Sequence, residues 1–410
     1  MTAVVAITGR TRASRLFFAA IANALNSLGN AVAVFALSVA ATNATSFGLI
    51  ATSLASMMFA FGVNRAIVGE TLTLQAHVRL VPVRFLAASS MVAITLAGLA
   101  CGVLLLSSGT RPLALLSGGA VFCFLVNDAL RYWAFRADQA RLVAITDAIW
   151  LAFSTCAYLL AAVGWLGPRA VYALWAVSGL LLALPLIRVR HLDERGATQS
   201  ARQWLASSRS VSIRLAAEAA AATAAVTVPL AAVPLLGLSG ETSGAVRLLQ
   251  VFFGFQQIAF FSALVSLGRL PEHDRHQRIR AGSTLALGGA AMSIAVGLCV
   301  WLLPASLLIS TFGDATAIAQ TSVWSFVMLQ ILVSAANGAL LGLRLSGRAA
   351  CATVPRVVGA LCSTVLATAL MHRGVVGYAV GSATGTLLFM LMLVPELRRA
   401  VIYRNRSRTA

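Results

Sequence analysis

What most constrains this chain is the near absence of charge over one long stretch after another. About twelve segments of roughly 17 to 25 residues are almost wholly apolar, the length an α-helix needs to cross a hydrocarbon core of about 30 Å. Six fall roughly within residues 17–187 and six within 213–395, leaving little chain for soluble domains. Charged residues are only 10% of the total, whereas a soluble domain has about a quarter of its residues charged. The sequence therefore predicts an all-α integral membrane protein with about twelve transmembrane helices.

The formal net charge of +19 would suggest nucleic acid as a partner if the arginines were clustered on a soluble face. They are not. All 31 basic residues are Arg, and nearly all fall in alternate connections between spans: Arg10, Arg12 and Arg15, then Arg79 and Arg84, then Arg136 and Arg141, then the run from Arg188 to Arg209, and so on to Arg408. The other connections keep only Arg111, Arg169 and Arg373, with Arg247 near the end of the eighth span. This asymmetry follows the positive-inside rule and predicts both termini in the cytoplasm, with the charge facing anionic lipid and no nucleic acid partner. The basic N-terminus precedes a hydrophobic run too long for a signal peptide, so the first span is expected to stay as an anchor.

Metal, nucleotide and cofactor chemistry find no foothold. The six cysteines show no CxxC spacing and the five histidines no HxxxH pair, so no metal site and no cofactor are expected. A phosphate loop of the GxxxxGK[ST] kind needs a Lys, and the chain has none. No loop is long enough for a glycosyltransferase domain, so the chain is expected not to be an enzyme.

The longest basic loop, RVRHLDERGATQSARQWLASSRS, divides the spans six and six. It predicts a lobe over residues 1–190, a cytoplasmic linker over 191–212, and a second lobe over 213–410 ending in a short basic tail. The halves echo each other. ATNATSFGLIATSLASMMFAF in and before span two aligns with LSGETSGAVRLLQVFFGFQQI in and before span eight, and GLLLALPLI of span six with GTLLFMLML of span twelve. Repeats with an even number of spans share one orientation, so the lobes are expected to be pseudo-symmetric about an axis along the membrane normal.

SFGLIATSLASMMFAFGVNRAIVGE of span two with its echo, and the basic turn RADQAR before span five with its echo SGRAA, give the pattern a family likeness. It resembles the multidrug/oligosaccharidyl-lipid/polysaccharide (MOP) exporter superfamily, and within it the Wzx-like polysaccharide flippases of bacteria. The major facilitator fold has the same six-plus-six plan, but its Gly/Asp/Arg-rich turn has no counterpart in VGETLTLQAHVRLVPVR. The resemblance implies a flippase in the bacterial cytoplasmic membrane, moving a lipid-linked oligosaccharide or polysaccharide precursor from inner to outer leaflet by alternating access. Its partners would be the polyprenyl-linked glycan, membrane lipids, and a polysaccharide polymerase or glycosyltransferase. A drug/cation antiporter of the same superfamily and a non-transporting scaffold for cell-envelope assembly stay open as alternatives.

Polar residues inside the spans are the candidate sites, because each is costly in hydrocarbon unless it faces protein or water. Asn23, Asn26 and Asn30 share one face of span one by their three- and four-residue spacing. They either bind sugar hydroxyls and phosphate oxygens or hold helices together. Arg247, Gln250 and Gln257 share a face of span eight; Arg247 either grips a phosphate, or snorkels outward or pairs with Glu241. Arg15 and Arg65, at the inner ends of spans one and two, are candidates for capturing an anionic headgroup, or simply enforce topology. Asp128, Asp147 and Glu218 are candidate coupling acids. Asp128 has Arg131 and Glu218 has Arg214 as local helical partners, whereas Asp147 has none close in sequence.

Overall fold

The computed structural model describes residues 2–74, 82–108, 111–189, 200–254, 275–345 and 349–406, and every regular element among them is helical. In chain order these are α1 (Thr2–Ala40), α2 (Ala44–Asn64), a π-helical turn (Arg65–Glu70), α3 (Thr71–Leu74), α4 (Pro82–Ser108), α5 (Arg111–Arg136), α6 (Ala140–Ala162) and α7 (Pro168–Ile187). After these come α8 (Ala201–Ser207), α9 (Arg209–Leu235), α10 (Gly240–Phe252), α11 (Arg275–Leu302), α12 (Ala305–Phe312), α13 (Ala315–Thr321), α14 (Val323–Leu345), α15 (Thr353–Leu370) and α16 (Gly374–Arg406).

Among the described residues, ten stretches are long and apolar enough to cross a membrane. The last of them, Thr353–Leu397, holds both α15 and α16, joined by the 3-10 turn Met371–Arg373. Eleven of the expected twelve spans are therefore visible as helices. The remaining one, expected at about 245–267, overlaps α10, and its part after residue 254 lies outside the described residues. The protein is a multi-pass membrane protein, all-α, as its apolar pattern predicts.

Local chemistry sets several boundaries. Asn43 and Ser46 bond reciprocally at the start of α2: the Asn43 Oδ1 accepts from the Ser46 N–H at 2.8 Å, and the Ser46 Oγ accepts from the Asn43 N–H at 3.1 Å. α7 opens with Pro168 after Gly167, since proline at the first helical position lacks only an N–H that would have gone unpaired. Ser200 and Gln203 form a full capping box on α8. The C-terminus of α11 is satisfied from outside: the Gln320 Nε2 donates to the carbonyls of Val300, Trp301 and Leu303 at 3.1, 3.2 and 2.8 Å.

The chain divides into two compact units. In the first, residues 1–42 and 53–220, α1 packs along α6, and α5 packs against α4 and α7. An aromatic cluster fills its middle. Phe124 lies 5.0 Å from Trp150 and 5.5 Å from Trp175, and Gly29 of α1 has no Cβ where the Trp150 ring passes. At the basic end, Phe85 of α4 stacks on Trp133 of α5 at 4.9 Å and meets the fully buried Trp204 of α8 edge-on at 5.9 Å. The helix between the apolar halves is thus docked on the first unit. Next to it, the Thr71 Oγ1 donates to the Ala66 carbonyl and lies 3.1 Å from the Ser212 Oγ of α9.

The second unit comprises residues 43–52 and 221–410. α14 packs against α11 and α16, and α15 against α16. Small residues permit these approaches: Gly282 meets Gly338, and a Cβ at Gly377, Gly381 or Gly385 would run into the Leu370 carbonyl, the Ala367 backbone or the Ser363 backbone. The head of α2 belongs to this unit. There the two echoing sequences meet, with Gly48 against Gly240 and the Ser243 hydroxyl donating to the Gly48 carbonyl at 3.3 Å. A Cβ at Gly48 would meet the backbone of Gly240, which cannot rotate away. Gly48→Val is expected to cost about 1–3 kcal/mol, read as a lower unfolding midpoint in detergent.

Candidate functional site

Four ionised side chains from three helices form one chain of contacts in the first unit. Arg65, the first residue of the π-turn, donates through Nε to the Asp128 Oδ2 at 2.9 Å and through Nη2 to Oδ1 at 3.0 Å, the two-pronged geometry that suits guanidinium and carboxylate. Arg131, one helical turn on from Asp128, donates to the same Oδ1 at 3.1 Å through Nη1 and to the Asp147 Oδ2 of α6 at 2.8 Å through Nη2. Asp128, Arg131 and Asp147 are 3%, 5% and 3% exposed. Two arginines answer two carboxylates, so the cluster is electrically neutral. Removing Arg131 would strand the Asp147 carboxylate away from water.

The π-turn that begins at Arg65 packs closely on α5. Gly69 lies against the Tyr132 ring, where any side chain would collide, and the Arg136 Nη1 donates to the Leu72 carbonyl at 3.4 Å just beyond. A π-turn is a wider loop of helix that leaves some backbone groups poorly paired, and it recurs at functional sites.

Against this cluster lies a pocket lined by Asn26 and Asn30 of α1, Phe61 of α2, and Phe124, Asn127, Asp128 and Arg131 of α5. Its free volume is ≈ 10 Å³, room for about one water. The lining is three amides, two aromatic rings, and the Asp128 and Arg131 members of the ion cluster. Two of the lining side chains each carry a buried polar atom with no hydrogen-bond partner: the Asn127 Oδ1, an acceptor, and the Arg131 Nε, a donor. Asn127 and Arg131 are four residues apart on α5 and so share a face.

The residues expected from the sequence distribute as follows. Asn26 and Asn30 reach the pocket, and the Asn30 Oδ1 also accepts from the Trp150 Nε1 at 3.2 Å. Asn23 is half-buried on α1 outside the lining. Arg65, Asp128 and Asp147 come together in the ion cluster, and Glu218 is buried on α9 outside the lining. Arg15 lies on α1, but its side chain is outside the described part, and Gln257 is wholly outside it. In the second unit Arg247 is buried, not snorkelling. Its Nη1 donates to the Gln250 Oε1 at 3.2 Å, while the Gln250 Nε2 donates to the Tyr378 hydroxyl at 3.1 Å and the Val226 carbonyl at 3.4 Å.

Sequence reasoning missed Phe61, Phe124 and Asn127. The signal was the segment LVNDALRYW, where Asn127, Asp128 and Arg131 interrupt an apolar span within five residues. It also missed Asn64, whose buried Nδ2 donates to the Leu125 carbonyl at 3.1 Å and ties α2 to α5 beside the cluster.

No protein-family model matches the sequence, and no curated protein matches it. Solved structures do match in fold. One is a multidrug resistance MATE family transporter of the MOP superfamily in an inward-facing conformation, similar at a TM-score of 0.66 and 10% identity over 93% of this chain and 96% of that one. Another is the lipid II flippase MurJ in an inward closed conformation, at 0.67 and 9% over 94% and 87%. A eukaryotic MATE transporter matches at 0.55 and 17% over 95% and 98%. The fold expected from the sequence is therefore the fold observed.

Proposed function

We propose that this multi-pass membrane protein, which has the fold of the MOP exporters, is a flippase. It carries a lipid-linked oligosaccharide or polysaccharide precursor from the inner to the outer leaflet of a bacterial cytoplasmic membrane by alternating access. The observation that carries this reading is the pocket of the first unit. Its amides, its unpaired Asn127 acceptor and its unpaired Arg131 donor match hydroxyl groups, each of which both donates and accepts. Phe61 and Phe124 supply apolar faces for a sugar ring. As described, the cavity admits about one hydroxyl or water, so a sugar enters as the pocket widens during the transport cycle.

A drug/cation antiporter of the same fold would want an acid free to meet a cation. Here Asp128 is held by two guanidinium groups and Asp147 by one, which favours the glycan. The arginine asymmetry supports cytoplasmic termini, placing the ion cluster toward the inner face. A protein of this kind transports rather than transforms its substrate, and its natural partners are the enzymes that build and polymerise the glycan.

The test uses a deletion strain and an impermeant glycan-cleaving enzyme added outside. The wild-type gene should restore access of that enzyme to lipid-linked glycan. Asn26→Leu should insert normally yet restore about a tenth of the rate, the equivalent of losing one hydrogen bond of about 1.4 kcal/mol. Full export by Asn26→Leu would overturn the pocket's role. No protected glycan in the deletion strain, with drug susceptibility altered instead, would overturn the glycan as substrate.

A further inference from the structure

A second, larger concavity in the first unit lies where α6 begins and α7 ends. It is an open groove with ≈ 270 Å³ of free space, lined by Gln139, Leu142, Pro185, Arg188 and Val189. We infer that it is a binding site for the phosphate headgroup of an anionic membrane lipid, with Arg188 as its cationic contact.

Both walls are held in place before any ligand arrives. The Trp133 Nε1 donates to the Val189 carbonyl at 3.0 Å, fixing the chain just beyond α7 against a fully buried ring. The tight turn on the other side is closed by the Gln139 N–H donating to the Ala134 carbonyl at 2.9 Å and the Asp138 N–H to the Phe135 carbonyl at 3.2 Å. Gln139 is the N-cap of α6, but its side chain makes no capping bond, so its amide is available to the groove. Arg188 is exposed and has no carboxylate partner among the described residues, unlike Arg65 and Arg131. Arg141 is exposed two residues after Gln139; Asp138, also exposed, reduces the positive field without cancelling it.

The apolar part fits the rest of a lipid. Leu142 in the groove shares a helical face with Ile145 and Ile149, which are 49% and 43% exposed. On α7, Leu184 and Leu181 continue from the groove at 56% and 49% exposed. Two apolar tracks thus lead from a cationic mouth toward the middle of the membrane, the layout that suits a phosphate with acyl chains below it. A soluble phosphate would use the mouth and leave the tracks bare.

The experiment is native mass spectrometry of the full chain released from nanodiscs containing equal phosphatidylglycerol and phosphatidylcholine. The protein should retain phosphatidylglycerol, and Arg188→Gln should retain it about tenfold less, the loss of one charge-assisted hydrogen bond. Arg169→Gln, at the other end of α7, should behave as wild type. Equal retention by Arg188→Gln, or equal retention of phosphatidylcholine by wild type, would overturn the site. Displacement by inorganic phosphate would assign the mouth to a soluble anion, and a retained dimer without lipid would assign the groove to a second copy; either result overturns the lipid. Because lipid retention is read without transport, its failure is distinguishable from failure of the flippase reading.

Discussion

Arg131→Met is expected to destabilise the first unit by about 3–5 kcal/mol. The guanidinium is the only bridge between Asp128 and Asp147 in the ion cluster, and all three are at least nine-tenths buried. Without it Asp128 keeps Arg65, but Asp147 is left as a buried carboxylate with no cation partner among the described residues. The cost arises from that stranded charge more than from the lost pair, which makes the double variant informative. Arg131→Met with Asp147→Leu removes donor and acceptor together and should recover most of the stability, since buried pairs replaced by apolar groups are often close to neutral. Thermal unfolding in detergent of the single and double variants checks both statements. Equal loss in the two would mean that the cluster acts through packing instead of charge.

Trp204→Ala is expected to be as damaging, about 3–5 kcal/mol, for a different reason. Trp204 is fully buried against Phe85, which itself stacks on Trp133, so truncation opens a cavity under a helix of only seven residues. Such a helix has almost no stability of its own. Limited proteolysis should therefore cut within residues 201–207 in Trp204→Ala and not in wild type. Trp204→Phe is the control. It keeps an aromatic ring and deletes an indole N–H that is buried without a hydrogen-bond partner, so it should be protected like wild type.

The membrane class and, among the described residues, eleven of the twelve expected spans were legible from two averaged signals, apolar length and arginine placement, whereas the fold was legible only through the family resemblance carried by spans two and eight and the basic turns before spans five and eleven. Of the asparagine strip, Asn26 and Asn30 line the pocket and Asn23 does not, so a common face read from spacing did not fix which members meet it. The ion cluster was legible only within one helix. Asp128 with Arg131 follows from a three-residue spacing, but Arg131 with Asp147 joins residues 16 apart, and Arg65 with Asp128 residues 63 apart. Those pairings depend on which helices become neighbours. Arg247 shows the same limit. Its position near the end of a span left a phosphate contact and an outward-reaching side chain both open, and the side chain is in fact buried beside Gln250.

The π-turn at Arg65–Glu70 makes the length of this helix, and not only its composition, part of the design. A π-turn carries about one residue more than the α-helical path it replaces. Arg65 at its start reaches Asp128 on α5, and Thr71 just after it reaches Ser212 on α9, so the extra residue sets the phase between two attachments. Residues Ala66–Gly69 thus act as a spacer. Changing an apolar side chain there to another is a small perturbation, whereas deleting one residue rotates everything beyond it and lets only one attachment survive. Among relatives of this chain, insertions and deletions should avoid this turn even where its letters drift.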